Sequence, residues 1–411
     1  MKRILMWVGI VLGVIVLCAA GFLAYVNFSG MPKFDAHVPT ITVESTPARL
    51  VRGKTLVLTL CAECHRNPIT KKLTGYQMLD LPEEFGTAYS KNITKHPTKG
   101  IGGWSDGEII WLLRTGIHPK TGLYVPPWMV KLPNAADEDL YSIVAFLRSD
   151  DPLVAAEDVD NIPPKPSFLA KFLVTVGAFK PYPYPTKTIA IPDTTNRVEH
   201  GRYLANGVFA CYACHSGDFK TMNELEPEKS GDFYAGGNQT MNAARVLVPT
   251  PNLTPDKETG IGNWTEEEFV QTMKTGFKKD GRSLSAPMGA YWHLSDYELG
   301  SIYQYIKTVP AIKKPRIPAT EVALSANATN GEKLYNKYGC VSCHATTGLG
   351  YGDLQLADKK YPTDSLLADV ILHPRTYYPL TTMREWAGHI PDNDLKEIVA
   401  HVRTLSKKSG R

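Results

Sequence analysis

A five-residue pattern occurs three times in this chain, as Cys61-Ala62-Glu63-Cys64-His65, Cys211-Tyr212-Ala213-Cys214-His215 and Cys340-Val341-Ser342-Cys343-His344. Each is C-x-x-C-H, the attachment signature of c-type haem. Two thiols at this spacing reach the two vinyl groups of one porphyrin, and the adjacent His turns its imidazole onto the iron. Roughly 0.003 such matches are expected by chance at this content of Cys and His. The pattern therefore predicts three covalently bound haem c groups, attached through Cys61, Cys64, Cys211, Cys214, Cys340 and Cys343. His65, His215 and His344 are the expected proximal iron ligands.

Three such groups in 411 residues leave about 100 residues for each, a domain size that buries limited apolar surface unaided. A porphyrin inside each unit becomes a covalent part of its core, so folding and haem attachment are expected to be coupled. The net charge of +4, from 45 basic and 41 acidic side chains, is too mild and dispersed to suggest a nucleic-acid partner. Six of the seven cysteines lie in the motifs, so no disulfide framework is expected. The seventh, Cys18, follows Leu17 where lipoprotein processing wants a small residue, which weakens an acylation reading.

The amino terminus reads Lys2-Arg3 and then 23 uncharged residues, Ile4 to Val26, enough helix to span about 35 Å. This exceeds a signal h-region, and no clear A-x-A site follows. A retained signal anchor over residues 1–30 is favoured over a cleaved signal. The positive flank then stays in the cytoplasm, and the rest lies on the periplasmic face of the membrane, where covalent haem attachment occurs in bacteria.

Alignment on the motifs reveals repeats. Each motif follows a helix with an early Gly and a Leu: Gly53 with Leu56, Gly201 with Leu204, Gly331 with Leu334. A Gly there lets another helix approach closely. Each unit closes with a helix starting at Asp137, Asp296 or Asp392, acidic in its first turn, with apolar residues at i, i+3 and i+7 from Leu140, Leu299 or Leu395. Units one and two also share Asn92-Ile93-Thr94 to Trp104 and Asn252-Leu253-Thr254 to Trp264, at a constant offset of 160. Capping boxes Ser105/Glu108 and Thr265/Glu268 predict a helix directly afterwards in both. The expected domains are 45–152, 193–310 and 324–408, joined by Pro-rich linkers at 153–192 and 311–323. The first linker holds an apolar stretch, Phe168 to Phe179, too short to span a bilayer; it is read as a helix packed on a neighbouring domain, with docking to a membrane surface or a partner as the alternative.

A sixth iron ligand must come from downstream in each unit. Met129, in Pro126-Pro127-Trp128-Met129, and Met288, in Ala286-Pro287-Met288, follow prolines that limit the entropy lost in holding sulfur on iron. Met129 lies 11 residues before Leu140, Met288 lies 11 before Leu299, and Met383 lies 12 before Leu395. This common spacing nominates Met129, Met288 and Met383, whereas Met78, Met222, Met241 and Met273 read as core fillers. His118, His293, His373 and His389 occupy no common position and are disfavoured as axial ligands. Trp104, Trp264, Asn92 and Asn252 are offered as N–H donors to haem propionates; equally, the Trp rings pack on the haem edge and the Asn residues make turns.

The motifs, with Tyr234-Ala235-Gly236-Gly237, Asn252-Leu253-Thr254-Pro255, Gly260-Ile261-Gly262-Asn263-Trp264 and Pro287-Met288, resemble those of the triheme cytochrome c subunits of bacterial membrane-bound alcohol, gluconate and aldehyde dehydrogenases. The resemblance covers roughly residues 45–408. It implies a mainly α fold, three tandem class I cytochrome c domains after an amino-terminal transmembrane helix. It implies an electron-transfer subunit with no catalytic residues, taking electrons from a flavin, quinoprotein or molybdenum dehydrogenase subunit and passing them to quinone or a terminal oxidase. Unit one departs from the pattern, with Lys95 in place of Pro and an acidic Leu81-Pro82-Glu83-Glu84 loop, as does unit three with Thr382-Met383. A haem enzyme such as a peroxidase or sulfur-compound oxidase, or a cytochrome module serving an oxidase directly, are the alternatives. No Gly-rich phosphate loop or hydrolytic constellation is present.

Overall fold

The structure is a computed structural model describing residues 2–408. It is mainly helical, with two short two-stranded antiparallel ribbons. Helix α1 (Lys2–Phe28) is long and apolar enough to cross a membrane and buries only Val26.

Unit one contains α2 (Pro47–Leu56), α3 (Asp106–Thr115) and α4 (Asp137–Arg148). Thr46 caps α2 by accepting from the Arg49 N–H, with Pro47 in the first turn, where no amide hydrogen is needed. Helix α3 carries the capping box read from Ser105 and Glu108 and ends on left-handed Gly116. The linker contributes α5 (Phe168–Thr175), capped by Ser167. Unit two repeats the plan with α6 (Arg197–Arg202), α7 (Glu266–Thr275) and α8 (Asp296–Ile306). The Thr265/Glu268 box is formed, and a third box, Ser295/Glu298, opens α8. Unit three has α9 (Asn330–Lys337), α10 (Asp364–Leu372) and α11 (Asp392–Lys408).

The opening and closing helices of each unit meet backbone to backbone. A Cβ on Gly53 would lie 1.9 Å from the Ser142 carbonyl oxygen of α4, and one on Gly201 would lie 1.8 Å from that of Ser301 in α8. On Gly331 it would lie 2.2 Å from the Glu397 carbonyl oxygen of α11. The close approach anticipated from the Gly-Leu pattern is present in all three pairs.

The cores are arranged less evenly than three units of equal standing would suggest. Leu56, Ile110, Leu140 and Ile143 of unit one belong to one continuous buried cluster with Leu204, Leu299, Ile302 and Ile306 of unit two. Unit three centres a second cluster around Leu334, Tyr335, Leu395, Ile398 and Val402, which Phe277 of unit two joins. Polar contacts reinforce the first junction: Arg52 donates to Asp139 at 2.8 and 3.0 Å and to Glu298 of unit two at 2.6 Å. Asp139, 1% exposed, also accepts from the Tyr203 hydroxyl at 2.6 Å. A buried carboxylate needs such partners to remain charged.

The Phe168 to Phe179 stretch packs against unit one and α1. Strand β1 (Gly86–Thr87) pairs with β2 (Lys165–Pro166) just before α5, Phe172 meets Phe22 of α1 edge-on at 6.2 Å, and Phe179 lies 6.0 Å from Phe85. The second ribbon, β3 (Gln239–Met241) with β4 (Leu247–Pro249), lies in unit two.

Candidate haem sites

Each C-x-x-C-H segment folds as one short helical turn, Ala62–His65, Cys211–His215 and Cys340–His344. In units one and two the preceding helix first widens into a π-helical turn, Val57–Cys61 and Tyr203–Val208. Such a turn carries an extra residue and re-aims the residues after it. Units two and three then use a left-handed residue immediately before the first cysteine, Ala210 at φ 46° and Gly339 at φ 77°. Glycine takes that conformation freely; alanine does so only under constraint from its surroundings.

The three histidines share one polar arrangement. The Nδ1–H of His65 donates to the Lys91 carbonyl at 2.7 Å, that of His215 to the Pro251 carbonyl at 3.1 Å, and that of His344 to the Gly352 carbonyl at 3.4 Å. A carbonyl can only accept, so the proton sits on Nδ1 and the Nε2 lone pair is left for a metal. Burial holds all three imidazoles below their ordinary pKa and thus neutral, the form that ligates. Burial also pushes the Cys61, Cys211 and Cys340 thiols up to about 12 and Cys214 to about 11. The six motif thiols are unbridged, and among the described residues no group of three or more His, Cys, Asp or Glu side chains could hold a bare metal ion. Oriented neutral imidazoles beside un-ionised, unbridged thiols suit a porphyrin held by thioether bonds.

The nominated methionines sit on tight loops. The Met129 N–H donates to the Pro126 carbonyl at 3.2 Å, the Met288 N–H to the Ser285 carbonyl at 3.0 Å, and the Met383 N–H to Thr381 Oγ1 at 3.2 Å. Met129 and Met288 are partly buried against the cluster joining units one and two, and Met383 against that of unit three. Met288, Met383, Cys340, Cys343 and His344 all line one cleft of about 270 Å³, which Arg66 and Tyr76 of unit one also reach. All three units thus contribute to a common cavity.

Arg384, directly after Met383, was not singled out by the sequence. It is 7% exposed, lines the same cleft, and donates through Nη2 to the Leu284 carbonyl of unit two at 2.7 Å. Its Nε has no protein partner. Arg66 of unit one makes a second contact between units, donating to the Leu380 carbonyl of unit three at 2.6 Å. No local pattern marks these cross-unit contacts, which join positions 96 to 314 residues apart.

The Asn residues offered for propionates are otherwise engaged. Asn92 donates from Nδ2 to the Glu157 and Val159 carbonyls at 3.0 and 3.2 Å and accepts from Thr94. Asn252 donates to the Ile312 carbonyl at 2.7 Å and to Thr259 Oγ1 at 3.0 Å, and accepts from Thr254. Both amide hydrogens of each side chain are taken, so the geometry matches the turn-forming alternative: each Asn clips its turn to the chain leaving the closing helix. Trp104 and Trp264 pack partly buried against the core; Trp104 meets His118 edge-on at 5.0 Å, and Lys279 lies over Trp264 at 5.5 Å. His389 stacks on Phe277 at 3.6 Å and His373 faces Glu385 at 3.9 Å. His293 lines the cleft against Trp292, and burial with Arg375 nearby lowers its pKa to about 4.

Residues 326–402 match the family described as cytochrome C oxidase, cbb3-type, subunit III. That segment is a cytochrome c domain. Across the longer chain, similarity extends to the alcohol dehydrogenase (quinone) cytochrome c subunit of Gluconobacter oxydans, 26% identical over 392 residues, covering 88% of this chain and 79% of that one. The fructose dehydrogenase cytochrome subunit of Gluconobacter japonicus is 27% identical over 350 residues, 78% of this chain and 66% of the relative. A nicotinate dehydrogenase subunit of Pseudomonas putida is 27% identical over 371 residues, 85% of this chain, but this chain spans only 28% of that protein's length. The relatives named as cytochromes are electron-carrying subunits of dehydrogenases, in line with the expected role outside the catalytic subunit.

Proposed function

We infer that this chain is a membrane-anchored three-haem c-type cytochrome that carries electrons from a periplasmic dehydrogenase subunit to quinone or a terminal oxidase. Its domains are three tandem class I cytochrome c units at 45–152, 193–310 and 324–408, with α1 as the anchor. The observation that carries this reading is the threefold recurrence of a motif turn whose His holds its proton on Nδ1 against a backbone carbonyl.

When bound, a haem iron supplies reversible one-electron exchange. The chain's own residues fix its surroundings. The carbonyls of Lys91, Pro251 and Gly352 orient the imidazoles that would hold the iron, and Met129, Met288 and Met383 would supply the thioether ligands. Thioether ligation favours the reduced state and raises the potential, which suits delivery to a respiratory acceptor. Contributions from all three units to one cleft favour transfer within the molecule. The dehydrogenase relatives support a catalytic dehydrogenase subunit as the donor, which we take to be of flavin, quinoprotein or molybdenum type.

The test is to mature the full chain with a cytochrome-assembly system, count covalent haem per polypeptide, and isolate it in mild detergent with whatever co-migrates. Three haems and a co-purifying dehydrogenase subunit are expected; fewer than three haems overturns the assignment.

A further inference from the structure

We propose that α5 is a second membrane contact: a helix lying in the plane of the bilayer surface, beside the point where α1 emerges, that seats unit one against the lipid. This rests on the reading of α1 as a membrane anchor and adds to it a defined lipid-facing surface in the linker.

Helix α5 and the residue after it read Phe168-Leu169-Ala170-Lys171-Phe172-Leu173-Val174-Thr175-Val176. Only Ala170 and Val174, one turn apart, are buried. Three bulky apolar side chains point away, with Phe168 41% exposed, Leu169 39% and Val176 48%, while Phe172 and Leu173 are half-buried. A helix that buries only Ala170 and Val174 and leaves Phe168, Leu169 and Val176 outward presents an apolar face unsuited to water.

The position of α5 identifies what covers that surface. Phe172 packs on Phe22 of α1, and Lys171 Nζ donates to the Asn27 carbonyl at 2.9 Å. Phe22 lies four residues, about 6 Å along the axis, before Val26, where the apolar run ends. Residues 22 to 27 are thus the outer end of the span, and α5 lies alongside them at the depth of the headgroup and acyl boundary, where in-plane helices bury an apolar face. Lys165, Lys171 and Lys180 flank the patch at the level of anionic headgroups. The β1–β2 pairing and the donation from the Ser167 N–H to the Phe85 carbonyl at 3.1 Å fasten α5 to unit one. Phe85 in turn contacts Phe179 at 6.0 Å and Trp128 at 6.3 Å. Since Trp128 adjoins Met129, the foot holds the Met129 loop near the bilayer and fixes the orientation of the head, which α1 alone would leave free to swivel.

The test uses the haem-loaded full chain in phosphatidylcholine/phosphatidylglycerol vesicles containing a diazirine-tailed phosphatidylcholine. After photolysis, lipid adducts are mapped by mass spectrometry. The expected result is adducts on both α1 and residues 168–176, with none at Leu247 or Leu324, which are equally exposed apolar residues outside the patch. A Leu169→Glu, Val176→Glu variant should lose most of the α5 adducts while α1 labelling and haem content are unchanged. Labelled α1 with unlabelled α5 overturns the foot and leaves the anchor standing. Absence of label from both overturns the anchor reading and the foot with it. Cross-linking of α5 to a second copy or another protein in place of lipid also overturns it.

Discussion

The Nη2 of Arg384 donates to the carbonyl oxygen of Leu284 at 2.7 Å, across a separation of 100 residues. It joins the residue after Met383 in unit three to the loop that carries Met288 in unit two. The same nitrogen lies 3.4 Å from the Met288 carbonyl, so the two loops nominated for iron ligation are tied through one guanidinium.

Replacing Arg384 with Ala should loosen this junction. A buried carbonyl left without its charged donor costs on the order of 1–3 kcal/mol. Urea denaturation followed by Soret absorbance should show unit three detaching at lower denaturant. An unchanged midpoint would mean the contact contributes nothing.

The helix crossings should be intolerant of a single methyl group. Gly53→Ala places a Cβ 1.9 Å from a backbone oxygen that cannot rotate away, so α2 and α4 must separate, at a cost of about 1–3 kcal/mol or more. Gly9→Ala in α1, where nothing lies within 4 Å, serves as the neutral control. Thermal unfolding and the yield of haem-loaded protein would report both.

If the chain carries three haems as proposed, Met288→Ala should change one of them. The expected signature is a partial loss of the sulfur-to-iron charge-transfer band in the oxidised spectrum, with a lowered midpoint potential for one component of the redox titration. A variant with the wild-type spectrum and titration would remove Met288 from the ligand set.

Stability should decline in mild acid through His200. Burial of its ring lowers its pKa below the ordinary 6.5, with Arg52 acting in the same direction and Glu298 and Asp139 opposing it; its Nδ1 has no partner. The folded chain therefore keeps this imidazole neutral while the unfolded chain takes up a proton. Stability is full above about 6.5 and falls as the pH drops from there to the folded-state value. His200→Gln should flatten the slope in that window, by up to one proton, in denaturation curves collected against pH.

Sequence patterns anticipated the features governed by short spacing. The Ser105/Glu108 and Thr265/Glu268 boxes, the Gly53, Gly201 and Gly331 crossings and the apolar α1 depend on residues a turn or two apart, or on recurrence across units. The Asn92 and Asn252 amides were harder to read, because an Asn that clips a turn and one that reaches a ligand look alike until their carbonyl partners at Glu157 or Ile312 are placed. Arg52 with Glu298 and Arg384 with Leu284 join positions 246 and 100 residues apart. No periodicity encodes such pairs, so the merging of units one and two was invisible in the sequence.

The single cluster running from Leu56 to Val309 sets a timetable for biogenesis. A chain emerging amino-terminus first exposes Cys61 and Cys64 long before Val309 arrives, about 250 residues later. The first attachment site stays open to the ligating machinery throughout that interval. The last, whose cluster is complete once Leu405 emerges, waits for about 65 residues. Slowed export should therefore lengthen the open interval of the first motif most.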